Sequence, residues 1–320
     1  MNPLRVAVLG VGSFGRNHAR VISSLPDVEL TAVVDRDTAR GRAVADEYGS
    51  AFVPDLDGVL GRIEAAIVAT PTATHEEIAS QLLNAGIDVL VEKPIASSSA
   101  AGHRLTHLSE SKGRILQVGH LERFNPIVMA LEKAVTLPLF FEIHRMSVFS
   151  PRSLDVDVVL DLMIHDLDIV LSLARGDLQE IRAAGVSVLS RKVDIANVRL
   201  QFADGCVANL TASRVSVERI RKLRLFQPNQ YLSLDYGRQD LAIFSVGEGR
   251  RIGFEQAQVP KIEPLKAQFD AFLDSIETRQ IPKCSGAAAH LTLEVALTIL
   301  DKIKEHSQVV SQTLVAGWTP

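Results

Sequence analysis

The feature that most constrains this chain is a junction near its start. Residues 5–10 (RVAVLG) form an almost continuous apolar run ending in glycine, the pattern of a buried parallel strand. The run leads into Gly10-Val11-Gly12-Ser13-Phe14-Gly15, and helical periodicity follows over residues 15–25. A second strand pattern over residues 28–35 closes on Asp35, 20 residues after Gly15. A GxGxxG string alone is weak, and a glycine turn in a plain α/β fold is its bland reading. Here a strand precedes it, a helix follows, and an acidic residue ends the next strand. Gly10 would allow the tight turn, Gly12 the approach of a pyrophosphate to backbone, and Gly15 the packing of helix on strand. The helix start would offer N–H groups and the positive end of its dipole to phosphates. A carboxylate at Asp35 suits the ribose hydroxyls of NAD and repels a 2′-phosphate. Arg36 beside it counters that repulsion and leaves NADP open.

The same alternation continues. Helical patterns at 38–48 and 74–85 separate strand patterns at 65–69, 88–91 and 114–119. Strands spaced by such helices mean βαβ units and a parallel, doubly wound sheet. Beyond residue 121 the pattern changes. An apolar helix over 158–174 precedes strand patterns at 181–189, 196–202, 206–213, 221–226, 231–235 and 241–244. Ala203-Asp204-Gly205 reads as a hairpin turn. Helices over 264–279 and 287–306 close the chain. The expected architecture is α/β: a dinucleotide-binding domain over 1–121, then an α+β domain over 122–320 built on one open, largely antiparallel sheet. A length of 320 residues suits two domains at roughly 150 each.

Composition excludes several classes. The apolar share of 47 % and charged share of 22 % are those of a globular protein, not a disordered or fibrous one. Lys plus Arg (34) against Asp plus Glu (38) gives a net charge of −4, without the basic surplus of a nucleic-acid partner. Cys206 and Cys284, 78 residues apart, suggest neither a metal knuckle nor a disulfide framework, so a reducing cytoplasm is the expected location. The first apolar run begins at Leu4, which leaves no room for a signal peptide. No apolar stretch approaches the roughly 18 residues of a membrane span.

Four places could carry chemistry. Glu92-Lys93-Pro94 ends a parallel strand, where ligands of such sheets bind, and a partly desolvated lysine is a useful acid or donor. A surface lysine at a strand end is the plain alternative. On the 158–174 helix, Asp157, Asp161, His165 and Asp168 fall within a stripe about 80° wide, in an otherwise apolar circumference. Such a stripe must line a polar cavity or be paired. His165 beside Asp161 suits a proton acceptor; a satisfied core histidine is the alternative, and no third ligand supports a metal. The stretch 119–126 (GHLERFNP) puts His120, Arg123 and Asn125 between a strand end and a helix. Arg214, Arg219, Arg221, Lys222 and Arg224 form a basic cluster, either a solvated strand face or a grip for an anionic substrate.

Taken together, the chain resembles the glucose-fructose oxidoreductase, inositol dehydrogenase and MocA family along essentially its whole length. The resemblance rests on the ordered set of Gly10 to Gly15, Ala69-Thr70-Pro71-Thr72-Ala73-Thr74-His75, Glu92-Lys93-Pro94, Gly119-His120, and Asp161 with His165. It implies a Rossmann domain followed by a domain whose open sheet joins copies into a homodimer or homotetramer. It implies that Ser13, Phe14, Thr70, Pro71, His75 and Glu92 lie along the cofactor, and that Lys93, Asp161 and His165 are catalytic. It implies a mechanism in which His165 accepts the proton of a secondary sugar hydroxyl, Lys93 stabilises the alkoxide and Asp161 holds the geometry. Within the family, residues 118–126 and 164–168 resemble the branch that oxidises UDP-N-acetylglucosamine at C3, toward 3-amino-sugar lipid A. That likeness implies that His120, Arg123, Asn125 and Arg214 contact a nucleotide sugar along with Asp161 and His165. The glycine-rich lead that many relatives carry before the catalytic aspartate is absent; Asp157-Val158-Val159-Leu160 stands there. A free-sugar or inositol dehydrogenase, and a non-catalytic NAD-binding sugar sensor, are the alternative readings.

Overall fold

A computed structural model describes residues 3–150 and 156–315, with side chains as far as Ser311. The chain divides into two compact units. One comprises Met1–Phe124 and Ile262–Leu293; the other comprises Asn125–Lys261 and Glu294–Pro320. The first break lies close to the expected one at 121/122. The return of 262–293 to the first unit corrects the single 122–320 domain read from sequence.

In the first unit, β1 (Leu4–Leu9), β2 (Val28–Val34), β3 (Ala51–Val53), β4 (Ala65–Val68), β5 (Asp88–Glu92) and β6 (Leu116–Gly119) make a wholly parallel sheet. Its order is β3-β2-β1-β4-β5-β6, so the winding reverses between β1 and β4. Helices α1 (Ser13–Ser23), α2 (Thr38–Tyr48), α3 (His75–Asn84) and α4 (Ser99–Ser111) provide the crossovers. All four residues of β4 are buried, as a parallel strand covered on both faces requires. Local chemistry sets the helix ends. Asp37 caps α2 by accepting from the Arg40 amide at 3.0 Å, and Gly49, at φ 68°, ends it in a left-handed turn. Ser98 caps α4 in the same way.

The second unit opens with α5 (Pro126–Ala134), whose cap is Asn125 and whose first residue is proline. Strands β7 (Phe140–Val148), β8 (Leu178–Val186), β9 (Ile195–Phe202), β10 (Val207–Ser216), β11 (Ile220–Gln227), β12 (Gln230–Asp235), β13 (Asp240–Val246) and β14 (Ile252–Gln256) form one sheet. Its order is β14-β13-β12-β11-β7-β10-β9-β8, antiparallel except where β10 meets β7. One face carries the core of Phe141, Ile143, Leu223, Leu225 and Leu232, packed with residues of a helix α6 (Ile164–Leu173). In the first unit, α7 (Pro264–Thr278) buries Phe269 and Phe272 beside Val21 and Ile22 of α1. The long α8 (Gly286–Val315) closes the chain.

The expected 158–174 helix is not uniform. Val159–Met163 form a π-turn before α6 begins. A π-turn advances fewer degrees per residue, so residues four apart on it come closer to one full turn, and the stripe drawn at the α-helical period is re-spaced. Asp161 and His165 are half-buried, whereas Asp166 and Asp168 are buried.

Candidate active site

The glycine-rich segment has the shape a dinucleotide needs. Gly10 sits at φ 80°, and a Cβ there would stand 2.8 Å from the Ala69 carbonyl oxygen. A Cβ at Gly15 would stand 1.8 Å from the Gly10 carbonyl oxygen, so only glycine lets α1 lie this close to the β1 turn. Around Gly12 there is open space instead: a Cβ would meet nothing within 4 Å. No side chain caps the start of α1, which leaves its first-turn N–H groups for a ligand. Ser13 and Phe14 stand exposed on this first turn. A cavity of about 670 Å³ at the switch between β1 and β4 is lined by Gly10, Gly12, Asp35, Arg36, Thr70 and Pro71, among others. Space where a pyrophosphate belongs, and tight packing where it does not, is the fit NAD requires.

Asp35 is buried at the rim of this cavity. Its Oδ2 accepts from the Val11 amide at 2.8 Å and from Arg40 Nε at 3.1 Å. Its Oδ1 accepts from the Asp37 amide and from Arg40 Nη2, both at 2.8 Å. Burial works to raise the Asp35 pKa, but the Arg40, Val11 and Asp37 bonds outweigh it and hold the carboxyl below its ordinary value. Arg40 escaped the sequence reading. It lies in the first turn of α2, where a side chain can fold back onto the preceding strand end.

The end of β5 is built as firmly. Thr74 donates its hydroxyl toward Thr70 Oγ1 and the Pro71 carbonyl, both at 2.8 Å, and so shapes the Thr70-Pro71 turn. His75 is buried, with Nε2 2.9 Å from the Thr70 carbonyl oxygen and Nδ1 2.9 Å from that of Pro94. Desolvation dominates and lowers the His75 pKa, against the pull of those two carbonyls and of Glu92. Glu92 Oε1 lies 2.7 Å from Nε2 of His18, a buried residue of α1. His18 was also missed; a histidine on the buried face three residues after Gly15 was the available signal. Lys93 is half-buried between Glu92 and Pro94. His120 and Arg123 are buried in the same unit, and the Arg123 carbonyl accepts from Lys283 Nζ at 2.9 Å.

In the second unit Asp161 lies in the π-turn and His165 in the first turn of α6. The neighbouring Asp166 makes a bidentate pair with Arg145, at 2.7 and 2.8 Å, and Arg145 lies over the Tyr236 ring. Asn125 uses its side-chain oxygen to cap α5, accepting from the Ile127 amide at 3.3 Å. Arg214 must be withdrawn from the substrate set. It is buried, with Nε 2.8 Å from Asp194 Oδ1, Nη1 2.6 Å from the Val156 carbonyl and Nη2 3.0 Å from Ser190 Oγ. A guanidinium committed in this way is an internal brace. The rest of the basic cluster divides: Arg224 faces Glu142 at 2.9 Å, Lys222 lies 3.7 Å from Asp235, and Arg219 is exposed in the turn before β11. Among the described residues no cluster of three or more His, Cys, Asp or Glu could hold a metal ion.

A parallel sheet with this cradle at its switch point defines a dinucleotide-binding protein of the Rossmann class. Residues 4–120 match the model of an oxidoreductase family with an NAD-binding Rossmann fold, and residues 143–226 match the GFO/IDH/MocA C-terminal domain. The UDP-N-acetylglucosamine 3-dehydrogenase of Acidithiobacillus ferrooxidans is 34 % identical over 302 residues, covering 92 % of this chain and 96 % of its own. Its solved structure superposes with a TM-score of 0.90 at 33 % identity, over 95 % of this chain and 99 % of that one. An inositol 2-dehydrogenase of Acidothermus cellulolyticus is 29 % identical over 191 residues, 56 % of either chain. The chain belongs to the GFO/IDH/MocA family and is an NAD-dependent oxidoreductase.

Proposed function

We propose that this enzyme oxidises C3 of UDP-N-acetylglucosamine to the 3-keto sugar, the step that prepares a 3-amino sugar for lipid A. The observation that carries this reading is the end-to-end similarity to the Acidithiobacillus enzyme, against partial similarity to inositol dehydrogenases. Both units, including the one that would meet the sugar, are within that match.

When bound, NAD supplies the hydride acceptor; the protein supplies position and charge. The α1 amides and Gly12 would hold the pyrophosphate, and Asp35, with Arg36 at the rim, would take the adenosine ribose. Thr70, Pro71 and His75 form the wall beside it. His165 takes the proton of the C3 hydroxyl, Lys93 stabilises the alkoxide charge that develops, and Asp161 keeps the imidazole in register. His120, Arg123 and Asn125 contact the nucleotide sugar. The open face of the second sheet carries a row of rings, Phe140, Phe226, Tyr231, Phe244 and Phe254, with successive centroids 4.8–5.9 Å apart. Phe226 and Phe254 are 38 % and 62 % exposed, which supports pairing of this face with a second copy in a homodimer or homotetramer.

The test is absorbance of the reduced nicotinamide after mixing enzyme and NAD with UDP-N-acetylglucosamine, free N-acetylglucosamine, glucose or myo-inositol. A signal confined to the nucleotide sugar is expected. A signal with a free sugar or polyol alone overturns the substrate and keeps the family.

A further inference from the structure

The segment that carries Lys93 is held by three contacts, none of which belongs to the reacting groups. On its amino side, the Glu92 carboxylate is fixed by His18 Nε2 at 2.7 Å. It also lies directly on Gly119 of the adjacent strand, the register partner of Glu92: a Cβ there would stand 2.7 Å from Glu92 Oε2 and 2.9 Å from Oε1. On its carboxyl side, the His75 ring sits between the Pro94 and Thr70 carbonyl oxygens, each 2.9 Å from a ring nitrogen, and the neutral ring donates to one of them. His18 and His75 are each 1 % exposed, and they come from two different helices, α1 and α3. Glu92 is itself only 13 % exposed. A largely covered carboxylate with a histidine donor and a glycine floor is held where it lies.

We propose that His18, His75 and Gly119 are positioning residues for Lys93, clamping Glu92 and Pro94 so that the intervening lysine is delivered at a fixed depth. The inference rests on the role of Lys93 given above. Each element of the clamp has a separate physical basis. His18 supplies the hydrogen bond that keeps Glu92 from turning away. Gly119 supplies the space that Glu92 occupies. His75, buried between the Thr70 and Pro94 carbonyls, fills the space between the Thr70-Pro71 wall and the Lys93 segment and so sets their spacing.

The experiment compares His18→Leu, His18→Gln and Gly119→Ala in the intact enzyme, each alone and combined with Lys93→Ala. His18→Leu and Gly119→Ala are expected to lower kcat by about 10–100-fold, the scale of a misplaced catalytic group. KM for the sugar and Kd for NADH, read from its fluorescence, stay within about threefold, because phosphates and sugar are held elsewhere. His18→Gln keeps a donor and is expected to recover to within about threefold of the parent. In the Lys93→Ala background the same changes cost less than about threefold, since they act through the lysine. Near-parent turnover in His18→Leu and Gly119→Ala, or full additivity with Lys93→Ala, overturns the proposal. Hydrogen exchange decides independently of activity. The Lys93 and Ile95 amides are expected to exchange at least about tenfold faster in His18→Leu and His75→Gln, with the rest of the sheet unchanged; unchanged exchange at both amides overturns the clamp. Should Lys93→Ala itself retain turnover, the catalytic reading of the lysine fails, and the exchange result alone judges whether the segment is clamped.

Discussion

Asp194→Asn tests the assignment of Arg214 as an internal brace. Asp194 is fully buried, and its carboxylate gathers five donors. The Val188, Leu189 and Ser190 amides reach Oδ2 at 2.7, 2.6 and 2.9 Å. Ser190 Oγ and Arg214 Nε reach Oδ1, both at 2.8 Å. Asparagine can leave its oxygen on the three amides, but its NH2 then faces the Arg214 N–H. The serine hydroxyl can turn to accept; the guanidinium cannot, and a buried cation loses its counter-charge. Breaking such a pair costs about 3–5 kcal/mol. At roughly 2–4 °C per kcal/mol for a unit of this size, the thermal midpoint of the second unit should fall by about 6–20 °C. Calorimetry or circular dichroism measures it, and a fall of less than about 2 °C refutes the reasoning. The acid limb gives a second readout. Burial alone would raise the Asp194 pKa, but the Leu189 and Ser190 amides, the Ser190 hydroxyl and Arg214 overcome it and hold the pKa well below the ordinary carboxylate range. The folded state therefore stays ionised where the unfolded chain protonates. The stabilisation is complete above about pH 4 and is lost as pH falls below it, so Asp194→Asn should show a shallower acid limb. Arg214→Met should be milder, because the carboxylate keeps its amides. In enzyme that remains folded, KM for the nucleotide sugar should change less than about threefold; a tenfold rise would restore Arg214 as a substrate contact.

Lys93→Ala and His165→Ala should each lower turnover at least about 100-fold in the nicotinamide assay, the scale of lost acid–base catalysis, and near-normal turnover in both would remove the mechanism. Gly12→Val and Gly15→Ala should part company: the open space at Gly12 lets valine fold with NADH affinity lost by about tenfold or more, whereas a Cβ 1.8 Å from a carbonyl at Gly15 should lower the melting temperature as well. Arg40→Ala removes the guanidinium that shields Asp35, so discrimination against NADP should rise by roughly fivefold, about 1 kcal/mol, in paired Kd measurements; unchanged discrimination would mean that Arg40 is not felt at the ribose.

The first unit was readable because its rules are local. A buried parallel strand is a continuous apolar run, a helix start carries its own cap, and the cradle is spelled by glycine spacing. The elements absent from the reading were β3, β7 and β14, together with α4 as a named helix. β3 is three residues long and shows no pattern at that length. β14 is exposed at every residue, so no alternation marks it. The return of α7 to the first unit depends on Phe269 and Phe272 meeting a helix some 250 residues away in sequence, which no window on the chain can contain.

The candidate site divides along the same line between local and distant information. Motif spacing singles out Lys93 and His165 in the sequence, and their catalytic roles are the proposal put to the test above. Which cation serves a ligand and which serves the fold depends on partners remote in sequence. Arg214 and Arg224 look alike within one basic cluster, yet Arg214 is closed in by Asp194, 20 residues earlier, while Arg224 meets Glu142 across a strand pair at a half-exposed surface. The π-turn adds a different kind of error. A single α-helical winding from Asp157 onward overstates the angular offset between Asp157 and His165, because Val159–Met163 advance fewer degrees per residue. Asp161 lies inside that turn and His165 just after it, so their relative aim depends on the widened winding. A wide turn is kept in a helix when what it aims is worth more than the regular hydrogen bonds it gives up. The widened winding is why periodicity alone does not give the geometry of these two side chains.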